Sequence, residues 1–249
     1  MYGDCGSTLE RWARFFERRL TELEATGMLA VSAQAIATGK SLELAQEERG
    51  RAAGVGAHVV TLDDAAYPGQ LKQIYDPPPI LYVRGSVEAL SKPGIAMVGT
   101  RHPTPCGTGM AERLATDLAA HGLVIFSSLA RGVDTASHRG ALAGKGCTVA
   151  VLGTGIDVPY PKENTRLSEQ IVASGGALIS EFPVSTFPAP QNFPIRNRSI
   201  SGIAIGVLVV EAAEYSGTRI TARCALKPSR DVFAGPGNVT NKNSWGRTR

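Results

Sequence analysis

The sequence predicts an α/β protein: a doubly wound, mostly parallel sheet with helices on both faces, preceded by a short helical segment. Three observations carry this reading. Short, continuous apolar runs recur from Ile95 onward, segments of helical length separate them, and Gly, Ser, Thr and Arg collect in the turns that follow the runs. A strand buried on both faces reads as an unbroken apolar run, and a parallel neighbour requires a long crossover, usually a helix.

Taken in order, residues 1–60 read as the short helical segment, with Leu20, Leu23 and Met28 spaced for one apolar face and Ser41 to Ala52 as a charged amphipathic run. Residues 61–249 form the main domain. Tyr67-Pro68 and Pro77-Pro78-Pro79 act as breakers before a short strand, Ile80 to Val83. Strand-like runs follow at Ile95–Val98, Leu123–Phe126, Thr148–Leu152, Ala177–Ser180, Val207–Val210 and Asp231–Ala234. Helix-like segments lie between them at about 105–120, 133–144, 164–173, 195–203 and 218–227.

Composition bounds the function. A chain of 249 residues with 43% hydrophobic and 19% charged residues buries a full core, which excludes global disorder. Cys5, Cys106, Cys147 and Cys224 are scattered, without a C-x-x-C pair or clustered His; neither a disulfide framework nor a metal site is expected, and the cysteines read as free buried thiols. The charged N-terminus leaves no apolar stretch for a signal peptide. The longest apolar run, Ile203 to Val210, is far short of the ~20 residues a membrane helix needs. A cytoplasmic protein without a membrane segment is expected. The net charge of +4 is a weak bias towards an anionic partner, so the placement of Arg and Lys decides.

Open parallel sheets bind ligands beyond the carboxyl ends of their strands. The first turn there is Gly99-Thr100-Arg101-His102-Pro103, with Gly107 and Gly109 opening a helix. Unpaired N–H groups at a helix start attract anions and a guanidinium pairs with phosphate, although a structural glycine turn explains the run equally well. The second turn carries Arg131. Beyond it Asp134 and His138 stand four apart on one helical face, as a metal or acid–base pair or as a cap with a satisfied hydrogen bond. The third leads to Tyr160-Pro161-Lys162, a lysine at a helix start, either meeting an anion or simply solvated. In the fourth, Arg196-Asn197-Arg198 falls where a helix is expected to begin; the two arginines call for an anion or for carboxylates, with Glu181 the internal partner. The fifth, Ser216-Gly217-Thr218-Arg219, offers phosphate donors or a plain N-cap. Together Arg101, Arg131, Lys162, Arg196, Arg198 and Arg219 make a basic rim along one sheet edge, which favours an extended polyanion. Tyr160, Phe182 and Phe193 are the aromatics near these turns, for base stacking or for core packing.

These segments resemble the DNA-processing protein A family (DprA, also called Smf). The resemblance rests on Val98-Gly99-Thr100-Arg101, Ala130-Arg131-Gly132-Val133-Asp134 with His138, Tyr160-Pro161-Lys162-Glu163-Asn164, Ser180-Glu181, Phe193-Pro194-Ile195-Arg196-Asn197-Arg198, Val209-Val210-Glu211-Ala212, Ser216-Gly217 and Val232-Phe233-Ala234, in order over about residues 61–245. It implies a Rossmann-like domain that binds single-stranded DNA, forms a homodimer, and in natural transformation and recombination protects incoming DNA and helps load a RecA-type recombinase. No catalysed reaction, cofactor or metal is implied. By the resemblance the DNA or phosphate site would use Gly99, Thr100, Arg101, Lys162, Arg196, Asn197 and Arg198, to which the reading of the turns adds Arg131, Ser216 and Gly217. Against the family pattern the domain reads as shortened at its C-terminal end, towards which the self-association and recombinase contacts largely lie.

An alternative of a different class is a nucleotide-processing enzyme of the phosphoribohydrolase type on a related Rossmann fold. Its Pro-Gly-Gly-x-Gly-Thr-x-x-Glu turn is missing: Arg219, Ile220 and Thr221 follow Ser216-Gly217-Thr218, leaving Glu211 or Glu181 as the carboxylates such chemistry would need.

Overall fold

A computed structural model of the chain describes residues 19–212, 221 and 230–235. The chain divides into two compact units, Met1–Gly54 and Val55–Arg249. Among the described residues the first holds three helices, α1 (Leu20–Glu24), α2 (Ala30–Ala37) and α3 (Lys40–Gly54), whose buried residues are Leu23, Ala33 and Ala52. The apolar face expected across Leu20, Leu23 and Met28 is not one helical face, because α1 ends at Glu24 and Leu20 is exposed.

The second unit is built on an eight-stranded sheet: β1 (His58–Thr61), β2 (Ile80–Gly85), β3 (Gly94–Val98), β4 (Val124–Ser128), β5 (Thr148–Leu152), β6 (Ala177–Ser180), β7 (Gly206–Val209) and β8 (Asp231–Ala234). The spatial order is β1-β2-β6-β5-β4-β3-β7-β8. The six strands from β6 to β8 run parallel, and β2 joins them antiparallel, carrying β1 at the edge. Every strand-like run of the sequence is a strand. The helices between them are α4 (Gly69–Lys72), α5 (Pro105–Ala120), α6 (Val133–Ala143), α7 (Thr165–Ala173) and α8 (Asn192–Ile203). The helix expected at about 218–227 falls, apart from Thr221, outside the described residues.

Alternation within β3 shows why both faces are apolar. Ala96 and Val98 enter one core with Tyr67, Leu71, Ile200 and Ile203 of the α4–α8 side. Ile95 and Met97 enter the other with Ala111, Ala115 and Ala119 of α5 and Ala136 and Ala141 of α6. Successive side chains of a strand point to opposite faces, so an unbroken apolar run is what a sheet covered twice demands. Phe126 and Leu178 are fully buried, each contributing about 1.5–3 kcal/mol.

Two expectations are corrected. Helix α8 begins at Asn192, three residues before the expected start, because Pro194 stands in its first turn, where no N–H is required. Arg196 and Arg198 therefore lie past the first turn, and repulsion by the helix terminus is not what places them. The described cysteines are not buried: Cys106 is exposed and Cys147 half-buried, while Cys5 and Cys224 lie outside the described residues. Among the described residues no helix is long and apolar enough to cross a membrane.

Candidate nucleic-acid interface

Strand order runs outward from β3 in both directions, to β4, β5 and β6 on one side and to β7 and β8 on the other. Beyond the carboxyl ends of β3, β4 and β5, where such a sheet leaves a crevice, lies an open cleft. Arg101 from the first turn, Ser128 to Arg131 from the second, Gly153, Tyr160 and Pro161 from the third, and Phe193 and Arg196 from α8 line it.

Phe193 is the hub of the cleft. Its ring lies 5.8 Å from that of Tyr160, tilted by 32°. The guanidinium of Arg101 stands 5.9 Å from its centroid and that of Arg196 6.0 Å, within cation–π range. Gly153 makes room for the ring: a Cβ there would come within 2.8 Å of Phe193 Cδ1.

Arg196 is only 6% exposed. One guanidinium nitrogen donates to the carbonyl of Val151, whereas its Nε is buried without a hydrogen-bond partner. Burial pulls its pKa down to about 10, opposed by the charge of Asp134 and reinforced by Arg101, so it stays a cation at neutral pH. Asp134, buried at the start of α6, accepts a hydrogen bond from the Ser128 hydroxyl. Desolvation pushes its carboxyl up to about 6 against the Ser128 hydrogen bond and the fields of Arg196 and Arg101.

His138, one turn along α6, is also buried. Its Nε2–H donates to the carbonyl of Ser128 at 2.8 Å, and its Nδ1 lies 2.7 Å from the Thr148 hydroxyl, whose one proton is shared between that nitrogen and the carbonyl of Ile125. Burial holds it neutral, with a pKa of about 4. Asp134 and His138 thus grip the same serine residue. Of the two options left by the sequence, internal hydrogen bonding is the one realised, and among the described residues no cluster of metal-ligating groups occurs.

The other expected site residues have diverse placements. Arg131 is exposed and forks onto Glu163, with Nε–Oε1 2.5 Å and a second bond of 2.7 Å. Lys162 is exposed beside it. Arg198 turns away from the cleft to Glu181, at 2.5 Å, and to the carbonyl and carboxylate of Asp76; Glu181 also accepts from Ser199. Glu181, one of the two partners the sequence left open, thus takes Arg198. Asn197 is half-buried, its carbonyl receiving the Ser201 hydroxyl. Gly99 is packed against Val133, where a Cβ would meet Cγ2 at 2.5 Å. Thr100 spends its backbone on Glu211 and Val133. Ser216, Gly217 and Arg219 lie outside the described residues.

The start of α5 is not a vacant anion site. The carboxylate of Glu211, buried, accepts from Thr104 N at 2.9 Å and Thr104 Oγ1 at 2.6 Å, while Thr104 Oγ1 caps Gly107 N. A Cβ at Gly107 would fall 2.4 Å from the Glu211 carboxyl carbon. The first glycine turn therefore binds an anion supplied by the chain itself. Of the expected residues, the cleft unites Arg101, Arg131 and Arg196. Ser128 has no sequence signal as a lining residue, Asp134 is weighed only with His138 as a metal or acid–base pair or a cap, and Tyr160 and Phe193 only for stacking or core packing; the Tyr-Pro and Phe-Pro dipeptides at the turns are the available signal.

A model of the family "DNA recombination-mediator protein A" matches residues 58–249. Protein Smf of Escherichia coli K12 is 44% identical over 189 residues, 76% of this chain and 50% of that protein. The DNA processing protein DprA of Bacillus subtilis is 41% identical over 192 residues, 77% of this chain and 64% of that one. The chain thus spans about half the length of Smf. Among solved structures, DprA of Streptococcus pneumoniae superposes with a TM-score of 0.77 at 36% identity, covering 88% of this chain and 75% of that one. DprA of Helicobacter pylori, described for its single-stranded DNA binding mode, gives 0.69 at 29% identity, covering 78% and 87%. Fold, strand-end cleft and these likenesses together place the chain in the DNA recombination-mediator protein A (DprA/Smf) family.

Proposed function

We propose that this chain binds single-stranded DNA through the strand-end cleft and catalyses no reaction. The observation that carries the reading is the seating of two guanidinium groups, Arg101 and Arg196, on the ring of Phe193 beside Tyr160. Cations at an aromatic platform meet both halves of a nucleotide: phosphate by charge-assisted hydrogen bonds, base by stacking. An unpaired base offers its face; a base inside a duplex does not. Lys162 extends the positive surface, as does Arg131 where its Glu163 partner releases it; of the ten expected site residues Arg101, Arg131, Lys162 and Arg196 carry this reading, while Ser216 and Gly217 lie outside the described residues. The binding of single-stranded DNA by the H. pylori relative supports the reading.

The carboxylates that a phosphoribohydrolase would need are engaged elsewhere, Glu211 at the start of α5 and Glu181 on Arg198. That favours binding over nucleotide processing. Protection of incoming DNA in transformation, loading of a RecA-type recombinase, homodimer formation and a cytoplasmic location complete the proposal by resemblance.

The test is fluorescence anisotropy of a labelled oligo-dT and a matched duplex, with the native chain, Arg101→Ala and Phe193→Ala. Preference for the single strand is expected, with a loss of roughly tenfold or more for each variant, the scale of one stacked base or one phosphate contact. A folded, monodisperse sample that binds neither oligonucleotide at low salt would refute the proposal.

A further inference from the structure

The cleft carries a negative charge of its own. Ser128 lines it, and one hydrogen bond behind that wall sits the Asp134 carboxylate, buried at the start of α6. The Ser128 hydroxyl from β4 donates to this carboxylate; the charges of Arg196 from α8 and Arg101 from the turn after β3 act on it, and so, least, does the Ser127 hydroxyl, which donates to the carbonyl of Met97. His138, on its own helix, reaches the carbonyl of the same Ser128 and is neutral. Both cations that face Asp134 line the cleft, and Arg196 brings to it a buried Nε with no partner.

A phosphate oxygen arriving between Arg101 and Arg196 would bring a second negative charge close to Asp134 and share with it the two guanidinium groups that face it. A like charge arriving close by disfavours the ionised form of a group that can take up a proton and raises its pKa. The phosphodiester is too strong an acid to take up that proton; the carboxylate is not. We infer that Asp134 regulates the charge of the cleft: occupation of the Arg101–Arg196 site by a phosphate is coupled to uptake of a proton from solvent by the Asp134 carboxyl. The inference rests on reading the cleft as a DNA phosphate site.

Desolvation by the protein itself holds the Asp134 carboxyl at about 6, and a neighbouring phosphate moves it further up. Between those two values the free protein is ionised at Asp134 and the complex is protonated. Affinity therefore rises as pH falls, by up to tenfold for each unit separating the free and bound pKa.

The experiment titrates labelled oligo-dT with the full chain from about pH 8.5 to pH 5.5 at fixed ionic strength, for the native protein and Asp134→Asn. Calorimetry of the native complex near pH 7 in two buffers of different ionisation enthalpy counts the protons taken up. Native affinity should rise roughly tenfold across this range, while Asp134→Asn should change less than twofold and bind more tightly than the native chain at the alkaline end. Uptake of roughly half a proton, the amount that a tenfold effect from one group implies, should accompany native binding. Equal pH profiles for the two proteins, or native binding without proton uptake, would overturn the inference, and calorimetry alone decides it if Asp134→Asn does not fold. Absence of oligo-dT binding at every pH would instead remove the DNA reading beneath it.

Discussion

Asp134 and His138 are buried four residues apart, and their titrations pull stability in opposite directions. The Asp134 carboxyl is raised from 3.8 to about 6, so the native state binds this proton more tightly than the unfolded chain. Its contribution to stability grows as pH falls through 6 towards 3.8, by about 3 kcal/mol. His138 is lowered from 6.5 to about 4, so the native state resists the proton that the unfolded chain accepts. Its contribution is lost over nearly the same window, again by about 3 kcal/mol. In the native protein the two offset each other. Asp134→Asn removes one arm, and urea denaturation at pH 7, 6, 5 and 4 should show the variant losing about 3 kcal/mol more than the native chain across that interval. Parallel curves would show that the pair does not titrate as its burial implies. None of this balance was legible in the sequence: the spacing of Asp134 and His138 announced a shared helical face, but desolvation depends on Ser128, Thr148 and Arg196, which the fold brings in from three other elements.

The elements themselves were largely legible, because an unbroken apolar run has few alternatives once helix-length segments separate it from the next. Legibility failed at a boundary. Reading α8 from residue 195 puts Arg196 and Arg198 in its first turn, where both call for an anion; because the helix begins at Asn192 they lie past that turn, and, two residues and so about 200° apart around the axis, one goes to the cleft while the other goes to Glu181 and Asp76. The start of α5 gives a second case, since Glu211 stands 107 residues along the chain from the Thr104 it binds, a distance no local pattern spans. Here the carboxylate acts as the anion that the helix dipole attracts, together with the Thr104 cap. Glu211→Gln keeps one acceptor and loses the charge, so it should lower stability by about 1 kcal/mol and leave oligo-dT affinity within twofold. Chemical denaturation and anisotropy on the same preparation check both halves; a large loss of affinity at unchanged stability would put Glu211 in the site rather than under it.

At the scale of the whole molecule, a formal charge of +4 says little about how many phosphates the surface can meet. The sequence gathers six cations on one edge, and the fold divides them. Arg131 faces Glu163 and Arg198 faces Glu181, so each carries its own counter-charge, while Arg101, Lys162 and Arg196 line or flank the cleft and Arg219 lies outside the described residues. Salt dependence reads this division directly, because each phosphate neutralised on a single strand contributes a slope of about −0.7 to log K against log salt. Three working cations predict a slope near −2; all six, with their ion pairs opened onto DNA, predict about −4. The exposed Arg131–Glu163 pair is worth at most about 1 kcal/mol, so it is the pair that DNA could open most readily. Glu163→Gln should free Arg131 and steepen the slope by about 0.7 while leaving the fold intact. A native slope near −4, unchanged in Glu163→Gln, would mean that the internal carboxylates do not restrain these arginines and that the whole rim, rather than the cleft, follows the strand.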